Sequence, residues 1–245
     1  MRIAFDLDGV LADLHGPFAR TAVRLFPELD RTEIGSPEVG SSPPDEDATV
    51  EKGADGPAVI PPLTNLPLTG RQSSVVWNAL TAVDDFWSTL DEIEPGAIER
   101  LAQLADEHRW EILFITSRPW TAGRTVQRQS QRWLEHLGFP LPSVYVVHGS
   151  RGRIAAALNL DVVVDDRPEN CLDVALESKA GAILVWRGSK EAVPASARRF
   201  GIAVVPSVAA CLDALVEIER SDQRGSLLER LRRLFGLRTA RPSGS

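Results

Sequence analysis

Cysteine is scarce in this sequence, which contains only Cys171 and Cys211 among 245 residues. So few cysteines exclude a disulfide framework and are typical of a reducing compartment, so we expect a cytoplasmic location. No uninterrupted apolar run reaches the length of a transmembrane helix. The first predicted strand begins at Arg2, and we therefore expect no signal peptide.

Positive charge is not in excess either, because Lys and Arg number 27 against 34 Asp and Glu and the formal net charge is -7. A general binder of nucleic acid needs a basic surface, so we expect no nucleic-acid polymer as a partner. The sequence has neither a Walker A loop nor a G-x-G-x-x-G fingerprint, and its histidines lack metal-ligand spacing. ATP-driven chemistry and dinucleotide binding thus have no local support.

The first thirteen residues, MRIAFDLDGVLAD, carry the strongest chemical signal. Residues 2–5 are apolar enough for a buried strand, and the carboxylates Asp6 and Asp8 follow, with Gly9 behind them. Strand alternation sends both carboxylates to one side, and Gly9 permits a sharp turn. Converging acids repel each other unless a cation or a shared proton compensates, which favours a site for a hard metal such as Mg²⁺. A plain strand followed by an acidic turn is the alternative.

The order of apolar segments predicts the fold class. Residues 11–26 and 73–90 have helical periodicity, whereas the Pro-, Gly- and Ser-rich stretch 35–70 between them predicts a long, disordered loop. Beyond residue 96, predicted helices alternate with predicted strands at 110–115, 144–147, 161–164, 182–186 and 202–205. This alternation predicts an α/β protein with a parallel sheet covered by helices on both faces.

Polar side chains end three of the predicted strands. Parallel sheets bind ligands at the carboxyl ends of their strands, so we expect these side chains to share one rim. The three pairs are Asp6 and Asp8, Thr116 and Ser117, and Asp165 and Asp166.

Together these residues resemble the haloacid dehalogenase-like (HAD) phosphohydrolase superfamily. The run DLDGV at 6–10 resembles its first motif, Thr116 its second, and Asp165 with Asp166 its fourth. The resemblance covers roughly residues 1–14 and 92–215, and it implies a doubly wound, Rossmann-like core at 1–14 and 92–219. It also implies a small, mainly helical cap at 15–91, inserted after the first strand. The segments DLDGVLAD and FWSTLDEIEPGA further resemble the 5′(3′)-deoxyribonucleotidase group.

The resemblance implies a Mg²⁺-dependent phosphatase that works through an aspartyl-phosphate. Asp6 would be the nucleophile and a metal ligand, and Asp8 the general acid and base, with its backbone carbonyl as a further ligand. Asp166 would bind the metal directly and Asp165 through water, while Thr116 would donate a hydrogen bond to the phosphate. The substrate would be a small phosphorylated metabolite or nucleotide, such as a nucleoside 5′-monophosphate.

The third motif departs from the family, which usually has a lysine where this chain has GSRGRI at 149–154. Register favours Arg151 as the replacement, with Arg153 second, so we expect Thr116, Ser117 and Arg151 to bind phosphate. Solvated arginines at a helix start are the alternative. The missing lysine leaves open a second function, a catalytically weak or inactive phospho-ligand binding or regulatory protein. Transfer of phosphate to an acceptor other than water is a third reading.

Two features outside the core motifs bear on partners. The tail at 220–245 is basic and amphipathic, and we expect it to dock on its own domain or mediate self-association in preference to binding an anionic membrane. Several aromatic residues could stack a nucleobase, although packing in the core is the alternative for each that lies at helical spacing. These are Phe18, Trp77, Phe86, Trp87 and, at the rim, Trp120.

Overall fold

The computed structural model describes residues 1–27, 29, 66–220 and 227–236. The predicted loop 35–70 lies outside the described residues except for 66–70, and the tail 220–245 is described only at 220 and 227–236. None of the helices in these ranges combines the length and hydropathy that crossing a bilayer requires.

Six parallel strands form one sheet in the order β3-β2-β1-β4-β5-β6. The chain builds outward from β1 through β2 to β3, then returns to the other side of β1 with β4. Ligands of such sheets bind where the strand order reverses, which here is at the carboxyl ends of β1, β2 and β4. The strands are β1 Arg2–Asp6, β2 Glu111–Thr116, β3 Ser143–Val146, β4 Val162–Asp165, β5 Gly181–Val185 and β6 Ala203–Val205.

Helices cover both faces of the sheet, which confirms the predicted doubly wound α/β class. Along β1, Ile3 and Phe5 pack into one core and Ala4 into the other, as strand alternation requires. The helices are α1 His15–Leu25, α2 Gly70–Thr81, α3 Ala97–His108, α4 Val126–His136, α5 Arg151–Ala157, α6 Pro168–Glu177, α7 Ala195–Arg199, α8 Val208–Arg220 and α9 Leu227–Leu234. The short α7 is not predicted by the sequence pattern.

The helix predicted at 73–90 is interrupted in the structure. It consists of α2 and a separate 3-10 helix, Phe86–Ser88, because Asp85 adopts a left-handed conformation with φ of 51°. The aromatic side chains that follow turn into the core, where Trp87 is fully buried. The apolar periodicity of this segment therefore reflects burial on both sides of a break.

The helix α9 packs against α8 and β5 of the same chain. Leu231 is buried over Gly181 at the start of β5, and the Arg230 guanidinium donates a hydrogen bond of 3.0 Å to the Ile218 carbonyl. The described part of the basic tail thus docks on its own domain.

Candidate active site

The ends of three adjacent strands bring the predicted acids together. Asp6 ends β1, Thr116 ends β2 and Asp165 ends β4, and all three side chains are buried. The register places Phe5 opposite Val164, so Asp6 and Asp165 each follow a paired residue at the same level of the sheet. The rim expected from the sequence therefore exists as a shared, largely desolvated site.

Arg151 reaches Asp6 across the rim. Its Nη2 donates to Asp6 Oδ1 at 2.8 Å and to Ser117 Oγ at 3.1 Å, and its Nε lies 3.6 Å from Asp165 Oδ2. Only 4% of the Arg151 side chain is exposed, whereas Arg153 is 80% exposed and faces Glu177 instead. Of the two candidate arginines, the structure brings only Arg151 to the acids.

The Arg151 guanidinium also has unused donors. Its Nε and Nη1 are buried and have no hydrogen-bond partner. A buried N–H group without a partner carries a desolvation penalty, and a bound oxyanion relieves it. Arg151 is held in place by the start of α5, where the Ser150 hydroxyl accepts a hydrogen bond from the Arg153 backbone N–H at 3.3 Å.

Burial and mutual repulsion raise the pKa values of the acids in the site. Burial, reinforced by the charge of Asp165, raises the pKa of Asp6 well above its usual range, against the pull of Arg151. Burial likewise raises the pKa of Asp165, while Arg151 and the hydrogen bonds from Arg167 and Asn170 oppose the rise. Asp166 has its pKa raised to about 7, first by burial and then by Asp165. Strongly shifted carboxyl groups that converge in this way are typical of functional sites.

Asp8 is fixed by a second arginine. Arg118 donates from Nε at 3.0 and 2.9 Å and from Nη2 at 2.8 Å to the Asp8 carboxylate. The Thr116 hydroxyl donates to Asp8 Oδ2 at 3.3 Å and accepts from the Arg118 backbone N–H at 3.3 Å. Asp8 thus faces the same rim as Asp6 but is bound to a separate cation.

Asp165 and Asp166, at the end of β4, are held by different contacts. Asp165 accepts two hydrogen bonds from Asn170 Nδ2, at 3.0 and 2.9 Å, and one of 2.9 Å from the Arg167 backbone. Asp166 lies against Gly9, where a Cβ would be only 2.0 Å from Asp166 Oδ2 and where φ is +83°. Glycine is therefore required after Asp8, both for the turn and for the approach of Asp166.

Comparison with solved structures finds this fold in another protein. A crystal structure of a HAD family hydrolase from Deinococcus radiodurans R1, with bound phosphate and sodium, aligns over 88% of this chain and 95% of that one with a TM-score of 0.51 and 20% identity. The chain has the HAD hydrolase fold. This confirms the resemblance found in the sequence at the level of the fold.

A more distant likeness appears among curated proteins. The mitochondrial 5'(3')-deoxyribonucleotidase of Mus musculus is 25% identical over 170 residues, which cover 69% of this chain. The match spans 66% of that relative, just under two thirds of its length. No family model matches the chain.

The carboxylates of this HAD fold do not form a closed metal cage. Within the described ranges, no three His, Cys, Asp or Glu side chains are grouped closely enough to enclose a metal ion. The donor set nevertheless fits Mg²⁺, which is usually bound by one or two carboxylates, several waters and the substrate phosphate. Asp6 and Asp166 offer such oxygens, and both lie close enough to Asp165 for its charge to add to the effect of burial in raising their pKa values.

Two arginines of the site escape the sequence analysis. Arg118 lies two residues beyond Thr116 in the run TSRP, and its position just after a strand end was the available signal. Arg187 follows β5 and donates to the carbonyls of Gly9 and Val10 at 2.6 and 3.1 Å. Arg187 also follows a strand end, but its contacts are hidden from local pattern, because these two carbonyls lie 178 and 177 residues away in sequence.

Glu94 completes the Arg187 contact. It accepts from Arg187 Nη2 at 2.6 Å and from the first two backbone N–H groups of α8, those of Val208 and Ala209, at 2.8 and 2.9 Å. These hydrogen bonds lower the pKa of Glu94 against the opposing effect of burial. The loop behind Asp8 is thereby tied to α8.

The five aromatic residues that could stack a nucleobase differ in their exposure. Phe18, Trp77, Phe86 and Trp87 are buried in the core, where Phe18 contacts Trp77 at 5.4 Å and Phe86 contacts Trp87 at 4.9 Å between ring centroids. Trp120 is 72% exposed at the rim. Of the five, only Trp120 offers a free ring face to a ligand.

Proposed function

We propose that this protein hydrolyses a small phosphate monoester in a Mg²⁺-dependent reaction through an aspartyl-phosphate on Asp6. The observation that carries the proposal is the buried pair of Asp6 and Arg151, a nucleophile beside a guanidinium with unpartnered Nε and Nη1 groups. A carboxylate that attacks phosphorus needs an adjacent cation to bind the phosphoryl oxygens. The phosphate bound to the Deinococcus hydrolase of the same fold supports this assignment.

The phosphate would be anchored by three groups at the rim. Arg151 would supply Nη1, which is buried without a hydrogen-bond partner, and the Ser117 hydroxyl lies 3.1 Å from Arg151 Nη2. Thr116 precedes Ser117, and its hydroxyl would exchange its hydrogen bond to Asp8 for one to the phosphate. A guanidinium carries five N–H donors, so Arg151 could bind Asp6 and Ser117 through Nη2 and a phosphate oxygen through Nη1. Arginine therefore suits the position that the family usually gives to lysine.

In the first step an Asp6 carboxylate oxygen attacks phosphorus, and the bond from phosphorus to the ester oxygen breaks. Asp8 gives its proton to the departing oxygen as the new Asp6–phosphorus bond forms. In the second step Asp8 removes a proton from water, which attacks the aspartyl-phosphate and releases inorganic phosphate. Both carboxylates return to their initial states, so the cycle consumes one water per ester.

The metal would be held by Asp6, by the Asp8 backbone carbonyl, by Asp166 directly and by Asp165 through water. When bound, Mg²⁺ neutralises negative charge on the phosphoryl group. Asp165 suits the water-mediated role, because Asn170 and the Arg167 backbone already occupy its oxygens.

For the substrate we propose a nucleoside 5′-monophosphate, with residues 15–91 acting as the cap that selects it. The support comes from the deoxyribonucleotidase of mouse, 25% identical to this chain, and from Trp120, whose exposed ring could stack on a base.

The test is phosphate release from a panel of nucleotides and sugar phosphates, with and without Mg²⁺, by the protein and by Asp6→Asn. We expect Mg²⁺-dependent release from at least one ester and none from Asp6→Asn. Asp106→Asn, at an exposed position of α3, is the matched acid-to-amide control and should retain activity. Equal release by the protein and by Asp6→Asn would contradict the proposal.

One observation favours a second candidate function, a phospho-ligand binding or regulatory protein with little turnover. Arg151 binds an oxygen of the proposed nucleophile itself, and so it holds Asp6 as well as the phosphate site. Calorimetry that detects binding of a phosphate ester without turnover would support this alternative. Higher turnover in Arg151→Lys would show that the arginine restrains an otherwise competent site.

A further inference from the structure

Arg118 is an almost completely buried cation in direct contact with Asp8. Only 2% of the residue is exposed, yet three hydrogen bonds of 2.8 to 3.0 Å join its Nε and Nη2 to the Asp8 carboxylate. Its remaining nitrogen, Nη1, donates to Ser130 Oγ at 2.8 Å. A two-point contact between guanidinium and carboxylate fixes the carboxylate in both distance and plane.

Two indole rings hold the guanidinium in turn. The Arg118 Cζ atom lies 4.7 Å from the ring centre of Trp87 and 5.6 Å from that of Trp133. Trp87 is itself fixed, because its Nε1 donates to the Pro119 carbonyl at 3.1 Å and its backbone N–H donates to Gln129 Oε1 at 3.0 Å. Cation–π contacts are strongest where water is excluded, as it is here.

The two buried arginines of the rim therefore differ in what they can do. Arg151 has buried Nε and Nη1 atoms without a partner, whereas each side-chain nitrogen of Arg118 has one within the protein. Arg118 is only 2% exposed, and Asp8 and Ser130 already bind its three nitrogens, so a phosphate has little access to it. Arg118 is consequently directed to the carboxylate and not to the ligand.

We infer that Arg118 is a positioning residue that orients the Asp8 carboxylate toward the leaving oxygen, with Trp87 and Ser130 as its supports. The inference rests on the proposed function and extends it to a residue outside the expected motifs. It separates the site into an anchoring arginine, Arg151, and an orienting arginine, Arg118. Loss of the orienting arginine should therefore impair proton transfer and leave phosphate binding largely intact.

The test compares kcat/KM for two aryl esters of similar size in Arg118→Met. Phenyl phosphate has a leaving group that needs a proton, and dinitrophenyl phosphate has one that does not. General acid catalysis contributes about 10²–10⁴-fold, so we expect a loss of about 10²-fold or more with phenyl phosphate. With dinitrophenyl phosphate the loss should be several-fold at most. The ratio of the two values is unaffected by any fraction of the variant that fails to fold.

Three further variants test whether the effect of Arg118 depends on its contact with Asp8. Arg118→Lys keeps the charge but not the two-point contact, and its ratio should lie between those of the protein and Arg118→Met. Arg128→Met removes an exposed arginine of α4 and should leave the ratio unchanged. In an Asp8→Asn background, Arg118→Met should cost little more with phenyl phosphate, because its effect passes through Asp8.

Equal losses with both esters would overturn the inference, since they would indicate phosphate binding or general damage. So would a further loss when Arg118→Met is added to Asp8→Asn. If the unmodified protein releases phosphate from no ester, the proposed function fails and this inference falls with it. If the unmodified protein is active but Arg118→Met loses kcat/KM equally with both esters, only the inference about Arg118 fails.

Discussion

Replacement of Arg151 by methionine should destabilise the protein in a way that depends on pH. Methionine has a similar length but no charge, so Asp6 loses its 2.8 Å hydrogen bond and Asp165 loses a cation at 3.6 Å. Removing one partner of a buried ion pair costs about 3–5 kcal/mol. In a protein of this size, about 2–4 °C are lost per kcal/mol, which predicts a fall in Tm of roughly 6–20 °C.

The dependence on pH follows from the pKa shifts of the acids. Burial already raises the pKa values of Asp6 and Asp165, and Arg151 opposes both increases. Without Arg151 the folded protein holds these protons to higher pH than the unfolded chain does. Stability then falls as pH rises between the ordinary and the raised pKa values, and protonation relieves the penalty at low pH.

Thermal unfolding followed by circular dichroism at about pH 5 and about pH 8 measures this effect. The matched control is Arg153→Met on the same helix, an exposed arginine whose ion pair with Glu177 is worth at most about 1 kcal/mol. The reasoning is refuted if Arg151→Met is no less stable than Arg153→Met at pH 8. It is also refuted if the loss in Tm is the same at both pH values.

Two other predictions concern the metal and the placement of α5. At saturating Mg²⁺ the gain in Tm should be larger at pH 8 than at pH 6. The reason is that the pKa of Asp166 is raised to about 7 and its protonated form is a poor metal ligand. Equal gains at the two pH values in a thermal shift assay would contradict this. Gly152→Ala should lower the free energy of unfolding by about 1–3 kcal/mol in urea, since a Cβ there would lie 2.1 Å from the Asp173 carbonyl oxygen. Gly70→Ala, with nothing within 4 Å, is the control and should raise it by up to about 1 kcal/mol, because alanine reduces the conformational entropy of the unfolded chain.

The sequence was sufficient for the fold class and for the acids at the strand ends. Apolar runs ending on Asp6, Thr116 and Asp165 are local patterns, and each strand lies within a residue or two of its predicted place. The break at Asp85 was not predictable in this way. It depends on a left-handed residue whose carboxylate accepts a hydrogen bond of 2.7 Å from the Arg124 backbone, 39 residues along the chain.

The contacts that the arginines of the site make could be established only from the tertiary structure. Register favoured Arg151 over Arg153, and it is packing that turns Arg151 inward to Asp6, 145 residues distant in sequence. Arg118 was visible as a polar residue at the rim, yet its role depends on Trp87 and Trp133 closing around it.

The sequence by itself therefore determined which strands form, most of the helices between them and which acids end the strands, because each of these depends on neighbouring residues. The tertiary structure decided that Arg151 contacts Asp6, that Arg118 contacts Asp8 and that, of the five aromatic candidates, Trp120 keeps an exposed ring. Those outcomes depend on burial and on contacts between distant segments, which set the energy of a buried charge and leave no mark on local spacing.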